Sequence, residues 1–191
     1  MNQAMGKRRA LRIAVFCSAN DGLSPAILAE VKPFAAGLKA RGGELVYGGG
    51  VAGLMGAFAN ACLQAGLKVY GAITKRLNEG YEVGHKGLTE LKIVDDLFDR
   101  KRYFIDESDA FFIYPGGFGT LDEALEVLTW KGLGELDKPI VFVNIDGFWD
   151  ETLRSFRDLE KRGAIRSGAW ELFEVVRTSE EAWAWWDRSQ T

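Results

Sequence analysis

The chain of 191 residues is long enough to bury the core of one globular domain. Its hydrophobic content of 47% and charged content of 27% are ordinary for a soluble globular protein. The formal net charge of −3 excludes a general attraction to nucleic acid or to an anionic membrane surface, so an anionic ligand would need a local positive pocket. No apolar run of the sequence reaches the length that a membrane-spanning helix needs.

Apolar and amphipathic segments alternate regularly after a flexible leader at residues 1–10. The apolar, β-prone segments predict strands at residues 11–17, 44–47, 67–73, 91–94, 110–114, 139–144 and 172–177. The other periodic segments predict helices at residues 25–41, 54–65, 97–107, 121–131 and 149–162, and a terminal helix opened by a capping box at 178–181. Pro33 predicts a kink in the first helix. Residues 75–89 lack a period and are interpreted as a mobile or site-covering loop.

The alternation of strands and helices determines the expected fold class. It favours a parallel sheet that is covered by helices on both faces. Right-handed crossovers between such strands give a Rossmann-like doubly wound sheet in a three-layer α/β/α arrangement. We therefore predict an α/β protein with a single Rossmann-like nucleotide-binding domain over residues 11–191.

Cys17 and Cys62 are the only cysteines, and both lie in apolar segments. Their setting predicts buried free thiols in a reducing compartment, and their spacing gives no metal site. The basic residues at 7–9 suggest a signal peptide, but Arg12 interrupts the apolar stretch that follows them. We therefore predict a cytoplasmic protein.

Two glycine-rich turns are the most informative segments of the chain. The first glycine turn, Gly-Gly-Gly-Val-Ala-Gly, covers residues 48–53, and the second, Pro-Gly-Gly-Phe-Gly-Thr, covers residues 115–120. Each follows a predicted strand and precedes a predicted helix. This arrangement presents bare backbone N–H groups and the positive end of a helix to an anion. Together the two turns predict a site for a phosphorylated small molecule.

The first glycine turn satisfies the pattern G-x-G-x-x-G through Gly48, Gly50 and Gly53. A dinucleotide site also needs an acidic residue at the end of the next strand, where this chain has Thr74 and Lys75. The chain has no G-x-x-x-x-G-K-[ST] run, which leaves P-loop NTPase chemistry unsupported. Binding of a mononucleotide or a sugar phosphate remains, beside the alternative that the glycines serve only tight turns and close helix packing.

Glu123 and Arg100 are the candidate reactive residues. We place Glu123 in the first turn of its helix, at the carboxyl edge of the sheet, where open α/β folds bind ligands. With Thr120 it also fits a capping box, which leaves a purely structural alternative open. Arg100 belongs to the charged run at 99–102 and could hold a phosphate or a base bidentately, although such runs are usually solvated helix faces. The sole histidine, His85, fits a structural or exposed position better than a proton shuttle.

Two longer strings of residues include the glycine turns. Val-Tyr-Gly-Gly-Gly at 46–50 continues to Gly-Leu-Met-Gly at 53–56, and Pro-Gly-Gly-Phe-Gly-Thr-Leu-Asp-Glu spans residues 115–123. These strings resemble the LOG family of cytokinin riboside 5′-monophosphate phosphoribohydrolases, whose members are often mislabelled lysine decarboxylases. The likeness spans roughly residues 11–177, and the second string is specific to this family and its close relatives.

The resemblance implies a Rossmann-like homodimer that hydrolyses the N-glycosidic bond of a cytokinin-type or adenosine nucleoside 5′-monophosphate, giving free base and ribose 5-phosphate. It assigns the catalytic roles to Arg100 and Glu123. We expect no metal or organic cofactor, no nucleic-acid partner and no membrane association. The residues predicted to bind the substrate and its phosphate are Gly48, Gly49, Gly50, Gly53, Met55, Arg100, Lys101, Gly116, Gly117, Gly119 and Thr120.

On this hypothesis, Glu123 orients or deprotonates the attacking water and offsets positive charge on the ribose, while Arg100 fixes the nucleotide. Two rival functions stay open. A non-catalytic nucleotide or molybdenum-cofactor carrier has a similar fold and similar glycine turns, and it would bind its ligand without turnover. A lysine decarboxylase needs pyridoxal phosphate on a lysine, and no lysine of this chain has a persuasive setting for it.

Overall fold

One sheet of parallel strands forms the middle layer of the protein. The computed structural model describes residues 9–80 and 83–190, so most of the predicted leader at 1–10 lies outside the described residues. Within them the strands are β1 (Arg12–Phe16), β2 (Glu44–Tyr47), β3 (Val69–Thr74), β4 (Glu90–Val94), β5 (Ala110–Ile113), β6 (Ile140–Val143) and β7 (Glu174–Val176). Their order is β4-β3-β2-β1-β5-β6-β7, and each neighbouring pair is parallel. The predicted fold class is therefore confirmed.

Helices cover both faces of this sheet. In the described part of the chain they are α1 (Pro25–Ala29), α2 (Val31–Ala40), α3 (Gly53–Gln64), α4 (Lys75–Glu79), α5 (Leu97–Glu107), α6 (Phe118–Leu133), α7 (Asp150–Lys161) and α8 (Ser179–Ser189). One hydrophobic core lies between the sheet and helices α2, α3 and α8. A second core lies between the opposite face of the sheet and helices α5, α6 and α7.

Strand β1 shows how one segment serves both cores. Ile13 and Val15 pack with the first core, whereas Ala14 and Phe16 pack with the second. All four side chains are buried because successive residues of a strand point to opposite faces of the sheet. This explains why the strand reads as a continuous apolar run instead of an alternating one.

The sheet grows in opposite directions from β1. Strands β2 to β4 are added on one side of it and β5 to β7 on the other. The chain leaves β1 toward the helices of the first core, and it leaves β5 toward α6 in the second core. A crevice therefore opens between the carboxyl ends of β1 and β5, the place where open α/β sheets bind their ligands.

The helix predicted over 25–41 is two helices, which corrects the expected kink at Pro33. Because proline has no backbone N–H, it cannot donate to the carbonyl of Ala29 one turn earlier. The chain therefore breaks at Glu30, while Pro33 itself sits in the first turn of α2. The backbone N–H of Ser179 donates to the Glu30 carboxylate over 2.6 Å, and the Ser179 hydroxyl donates to the Glu30 carbonyl over 2.9 Å.

The segment predicted as a loop over 75–89 begins with the short helix α4. The hydroxyl of Thr74 caps it by accepting from the Leu77 N–H over 3.2 Å. Residues 81–82 of the predicted loop lie outside the described range. Further along, the His85 N–H donates to the Gly49 carbonyl over 2.9 Å, so this part of the segment is attached to the first glycine turn.

Helix α6 begins three residues earlier than predicted, at Phe118, with Gly117 as its N-cap residue. Thr120 therefore lies inside the first turn and Glu123 in the second turn, so the capping box proposed for this pair is wrong. The N-cap glycine has no side chain to satisfy the first N–H groups of α6. The helix thus starts inside the second glycine turn and leaves that turn's amides available to a ligand.

The terminal helix α8 forms part of the first core. The capping residue is Thr178, as the sequence predicts, and its hydroxyl accepts from the Glu181 N–H over 3.1 Å. The buried indole of Trp183 donates from Nε1 to the Phe34 carbonyl over 3.2 Å. Gly37 of α2 makes room for this ring, since a Cβ built there would lie 2.2 Å from the indole. Across residues 9–80 and 83–190, no helix combines the length and apolar character needed to cross a bilayer.

Candidate active site at the carboxyl ends of β1 and β5

A cavity of about 240 Å³ opens at the crevice between the ends of β1 and β5. Its lining comes from the loop after β1, the start of α3, helix α5 and the second glycine turn with α6. The lining residues are Cys17, Ser18, Ala19, Asn20, Met55, Arg100, Gly117, Phe118, Gly119, Thr120 and Glu123. Cavities of about 350 Å³ and 460 Å³ lie elsewhere, but none of the predicted site residues lines them. We therefore treat the smaller cavity as the functional site.

The loop after β1 joins the parts of the cavity. The Ser18 N–H donates to the Pro115 carbonyl over 3.0 Å, and the Ser18 carbonyl accepts from the Met55 N–H over 3.2 Å. These two bonds tie the second glycine turn and the start of α3 to the same residue. The loop was missed as part of the site by the sequence analysis. This loop lies at the end of the strand where the sheet changes direction, and that point is known only from the strand order of the structure.

Glycines of the second glycine turn differ in what surrounds them. A Cβ built on Gly116 would lie 2.1 Å from the Thr120 hydroxyl oxygen, so this glycine is needed for packing. A Cβ on Gly117 or on Gly119 would meet no atom within 4 Å. Open space beside an uncapped helix N-terminus lets an anion reach backbone N–H groups.

Arg100 is buried and enters the cavity from α5. Its Nε donates to the Ala72 carbonyl over 3.0 Å and its Nη2 donates to the Gly48 carbonyl over 2.9 Å. Both acceptors are backbone carbonyls, one within β3 and the other directly after β2, so the guanidinium is fixed by the sheet. A fixed guanidinium is suited to bind an anionic or planar group.

Glu123 lines the same cavity from the second turn of α6. The negative charge of Glu123 acts on the nearby thiol of Cys17. Burial raises the pKa of Cys17 well above its ordinary value, and the charge of Glu123 raises it further. Both cysteines are free and buried, as predicted. The cavity therefore brings the predicted carboxylate and the predicted guanidinium together.

The first glycine turn lies outside the lining of this cavity. A Cβ on Gly48 would lie 2.3 Å from the Arg100 guanidinium, and one on Gly49 would lie 2.7 Å from the Leu91 side chain. Gly53 has a positive φ of 59°, and its Cβ would lie 2.6 Å from the backbone of Ala19. Gly50 is buried and pairs with Gly84 in an isolated bridge. Of the residues predicted from this part of the chain, Met55 reaches the cavity.

Lys101 and His85, which the sequence analysis also considered, both bond to neighbouring side chains. The Lys101 ammonium bonds to the carboxylates of Asp122 and Glu126, and Lys101 is not among the lining residues. The His85 imidazole bonds to the Asn60 side chain over 3.1 Å and accepts from the Gly87 N–H over 3.0 Å, which fits its structural interpretation.

No lysine stands among the described residues that line the cavity, so none is placed there to carry a Schiff base. One of the matches to known proteins nevertheless carries the name of a lysine decarboxylase. A family profile described as "Possible lysine decarboxylase" matches residues 55–185. Among solved structures, the molybdenum cofactor binding protein from Rippkaea orientalis has a similar fold, with a TM-score of 0.72 at 16% identity over 96% of this chain and 99% of that one.

Curated relatives define the family more closely. A probable cytokinin riboside 5′-monophosphate phosphoribohydrolase of Oryza sativa subsp. japonica is 39% identical over 89% of this chain and 76% of its own length. A cytokinin riboside 5′-monophosphate phosphoribohydrolase of Arabidopsis thaliana is 40% identical over 92% of this chain and 83% of its own length. The chain belongs to the LOG family of cytokinin riboside 5′-monophosphate phosphoribohydrolases.

Proposed function

We propose that this protein hydrolyses the N-glycosidic bond of a nucleoside 5′-monophosphate and releases the free base and ribose 5-phosphate. Adenosine and cytokinin-type nucleotides are the proposed substrates, as the names of the curated relatives suggest. The observation that carries the proposal is the shared cavity of Arg100 and Glu123, which lies beside the open amides of the second glycine turn.

The amides of Gly117, Gly119 and Thr120 are the proposed phosphate site. They lie at the N-terminal end of α6, a helix of 16 residues whose dipole favours an anion there. Binding the phosphate at this point fixes the ribose deeper in the cavity. Binding energy from a part of the substrate that does not react is then used to orient the bond that breaks.

Glu123 is the proposed catalytic carboxylate. Cleavage of an N-glycosidic bond passes through an oxocarbenium-like state, and a nearby negative charge stabilises it. The carboxylate also accepts a proton from the water that attacks the anomeric carbon. The C–N bond breaks as the new C–O bond forms, and the base leaves with the electron pair and takes up the proton that Glu123 accepted from the water. Such a group typically contributes a rate factor of about 10² to 10⁴.

Arg100 is proposed to hold the nucleotide and stabilise the departing base. A guanidinium does not release its proton in proteins, so it acts through hydrogen bonds and charge. Its two bonds to backbone carbonyls keep it in place before the substrate arrives. Such preorganisation reduces the reorganisation that the reaction would otherwise require.

The oligomeric state and the cellular location of the protein are also part of the proposal. We propose a homodimer, as the family resemblance implies, built from single domains over residues 11–191. Exposed apolar side chains on α5 and α6, including Phe98, Phe118 and Leu125, support a second copy as the partner. Two buried free thiols support a cytoplasmic location.

The proposed activity is tested by incubating the protein with AMP and with isopentenyl-AMP and measuring free base by chromatography. Wild-type protein should release base from at least one of them. Glu123→Gln should lower kcat by about 100-fold or more while the nucleotide still binds, because the amide keeps the shape but loses the charge. Glu151→Gln is the matched control, since Glu151 is an exposed carboxylate on α7 and does not line the cavity.

Two results would overturn the proposal. Equal turnover by wild-type protein and Glu123→Gln would remove the carboxylate from the mechanism. Tight nucleotide binding without any release of base would instead favour a non-catalytic binding protein, as the Rippkaea orientalis structure of similar fold is named.

A further inference from the structure

We propose that Lys101 is a positioning residue that holds α5 and α6 together, so that Arg100 and Glu123 face the same cavity. The inference rests on the proposed function and gives Lys101 a different role from phosphate binding. Lys101 follows Arg100 on α5, and Asp122 precedes Glu123 on α6.

The contacts of Lys101 bridge the two helices. Its ammonium lies 3.2 Å from the Asp122 carboxylate and forms a second ion pair with Glu126. Asp122 and Glu126 are four residues apart, so they lie on one face of α6. Glu123 lies about 100° further around the helix than Asp122, which is the rotation per residue of an α-helix, and it lines the cavity instead. One face of α6 thus contacts α5 while another presents the proposed catalytic carboxylate.

The burial of Lys101 strengthens these ion pairs. Its side chain is only 12% exposed, and that of Glu126 is 23% exposed. The Phe98 ring centroid lies 5.6 Å from the ammonium, which adds a cation–π contact. Burial lowers the pKa of Lys101, but the hydrogen bonds that it donates to Glu126 and Asp122 and the charges of these carboxylates outweigh the effect of burial, so the pKa lies above its ordinary value. The lysine therefore keeps its charge within this cluster.

The charge of the cluster argues against a phosphate role. One ammonium beside two carboxylates carries a net charge of −1, which repels an anion. Lys101 is also not among the residues that line the cavity, whereas its neighbour Arg100 is. An ammonium that bound phosphate would have to leave both carboxylates and change its direction.

A double-mutant cycle separates the two roles. Lys101→Met should lower kcat by about tenfold, because the two reactive groups are no longer held at the right separation. Replacing Asp122 and Glu126 together by Asn and Gln should lower kcat to a similar extent. All three changes combined should cost no more than either set alone, since both sets remove one interaction. Lys101→Arg should restore most of the activity.

The affinity for ribose 5-phosphate and AMP, measured by calorimetry, distinguishes positioning from phosphate binding. Lys101→Met should bind both within about twofold of wild type, whereas loss of a phosphate ligand would weaken both by about tenfold or more. Arg102→Met is the matched control, because it removes the same charge from the adjacent position and does not line the cavity. It should retain wild-type kcat.

Three outcomes would overturn the inference. They are a large loss of affinity in Lys101→Met, additive effects in the cycle, and full activity after both carboxylates are replaced. Wild-type protein that binds AMP without releasing base would refute the proposed function instead. The calorimetric comparison would still decide whether Lys101 contacts the phosphate.

Discussion

The two glycine turns both join a strand to a helix but have different surroundings. In the first turn, added Cβ atoms on Gly48, Gly49 and Gly53 would collide with a side chain or with backbone. In the second turn, Gly117 and Gly119 face open space. A glycine can be required by the protein's own packing or by a ligand, and the atoms that an added Cβ would meet distinguish the two cases.

The first glycine turn supports the residues that line the site but does not line it itself. Gly48 provides the carbonyl that holds Arg100, and Gly53 brings the start of α3 against the loop after β1. Gly53 also donates its N–H to the Asp21 carboxylate over 3.2 Å. A phosphate role for Gly48, Gly49, Gly50 and Gly53 stays a prediction.

The largest effect is expected at Gly53. Gly53→Ala forces a left-handed backbone on alanine and places its Cβ 2.6 Å from the backbone of Ala19. We expect a loss of about 3 kcal/mol in the free energy of unfolding, because neither the strain nor the backbone contact can relax cheaply. Urea denaturation followed by circular dichroism measures it. A stable Gly53→Ala protein would show that the packing described for the first turn is wrong.

A smaller effect on stability but a large one on activity is expected at Gly48. The new Cβ of Gly48→Ala would lie 2.3 Å from Nη2 of Arg100, which is the end of a flexible side chain and can move away. We expect kcat to fall by about 100-fold, as for loss of a fixed charge in the site, while the fold persists. Steady-state kinetics beside a melting curve tests this. Unchanged kcat would mean that the activity does not depend on the position of the Arg100 guanidinium beside residue 48.

The smallest effect on the fold is expected in the second turn. Gly119→Ala should leave the free energy of unfolding unchanged or raise it by about 0.5 kcal/mol, because alanine suits a helix better than glycine. It should nevertheless raise the KM for AMP by about tenfold, since its methyl group occupies the space in which the proposed phosphate lies. Gly117→Ala should act in the same direction. A KM equal to wild type in both variants would place the phosphate elsewhere.

The succession of strands and helices along the chain could be predicted from the sequence, because each element has its own local pattern of apolar and polar residues. The strand predicted over 110–114 and the helix over 97–107 agree with β5 and α5 within one residue. The sequence placed the interruption of the first predicted helix at Pro33, whereas the helix breaks three residues earlier at Glu30, because Pro33 lacks the N–H that would bond to the Ala29 carbonyl. The short helix α4 was missed because five residues are too few to show a period.

The site residues that belong to a sequence motif could be predicted, whereas those that reach the site through the packing of distant elements could not. Glu123 and Thr120 were found from the second glycine turn, but the start of α6 was misplaced because a capping box and a helix first turn look alike in sequence. The contacts of Lys101 depend on how α5 lies against α6, which residue spacing does not encode. The part played by Cys17 and Asn20 in the lining follows from the strand order, which sequence alone did not provide.

The terminal helix α8 has a practical consequence for anyone who shortens this protein. Trp183 fills the space above Gly37, and Ser179 bonds to Glu30 at the junction of α1 and α2. Removing residues after 177 would leave a hole in the first core and an unsatisfied carboxylate next to it. A purification tag attached beyond the end of α8 should be tolerated, whereas a truncation in front of it should yield insoluble material.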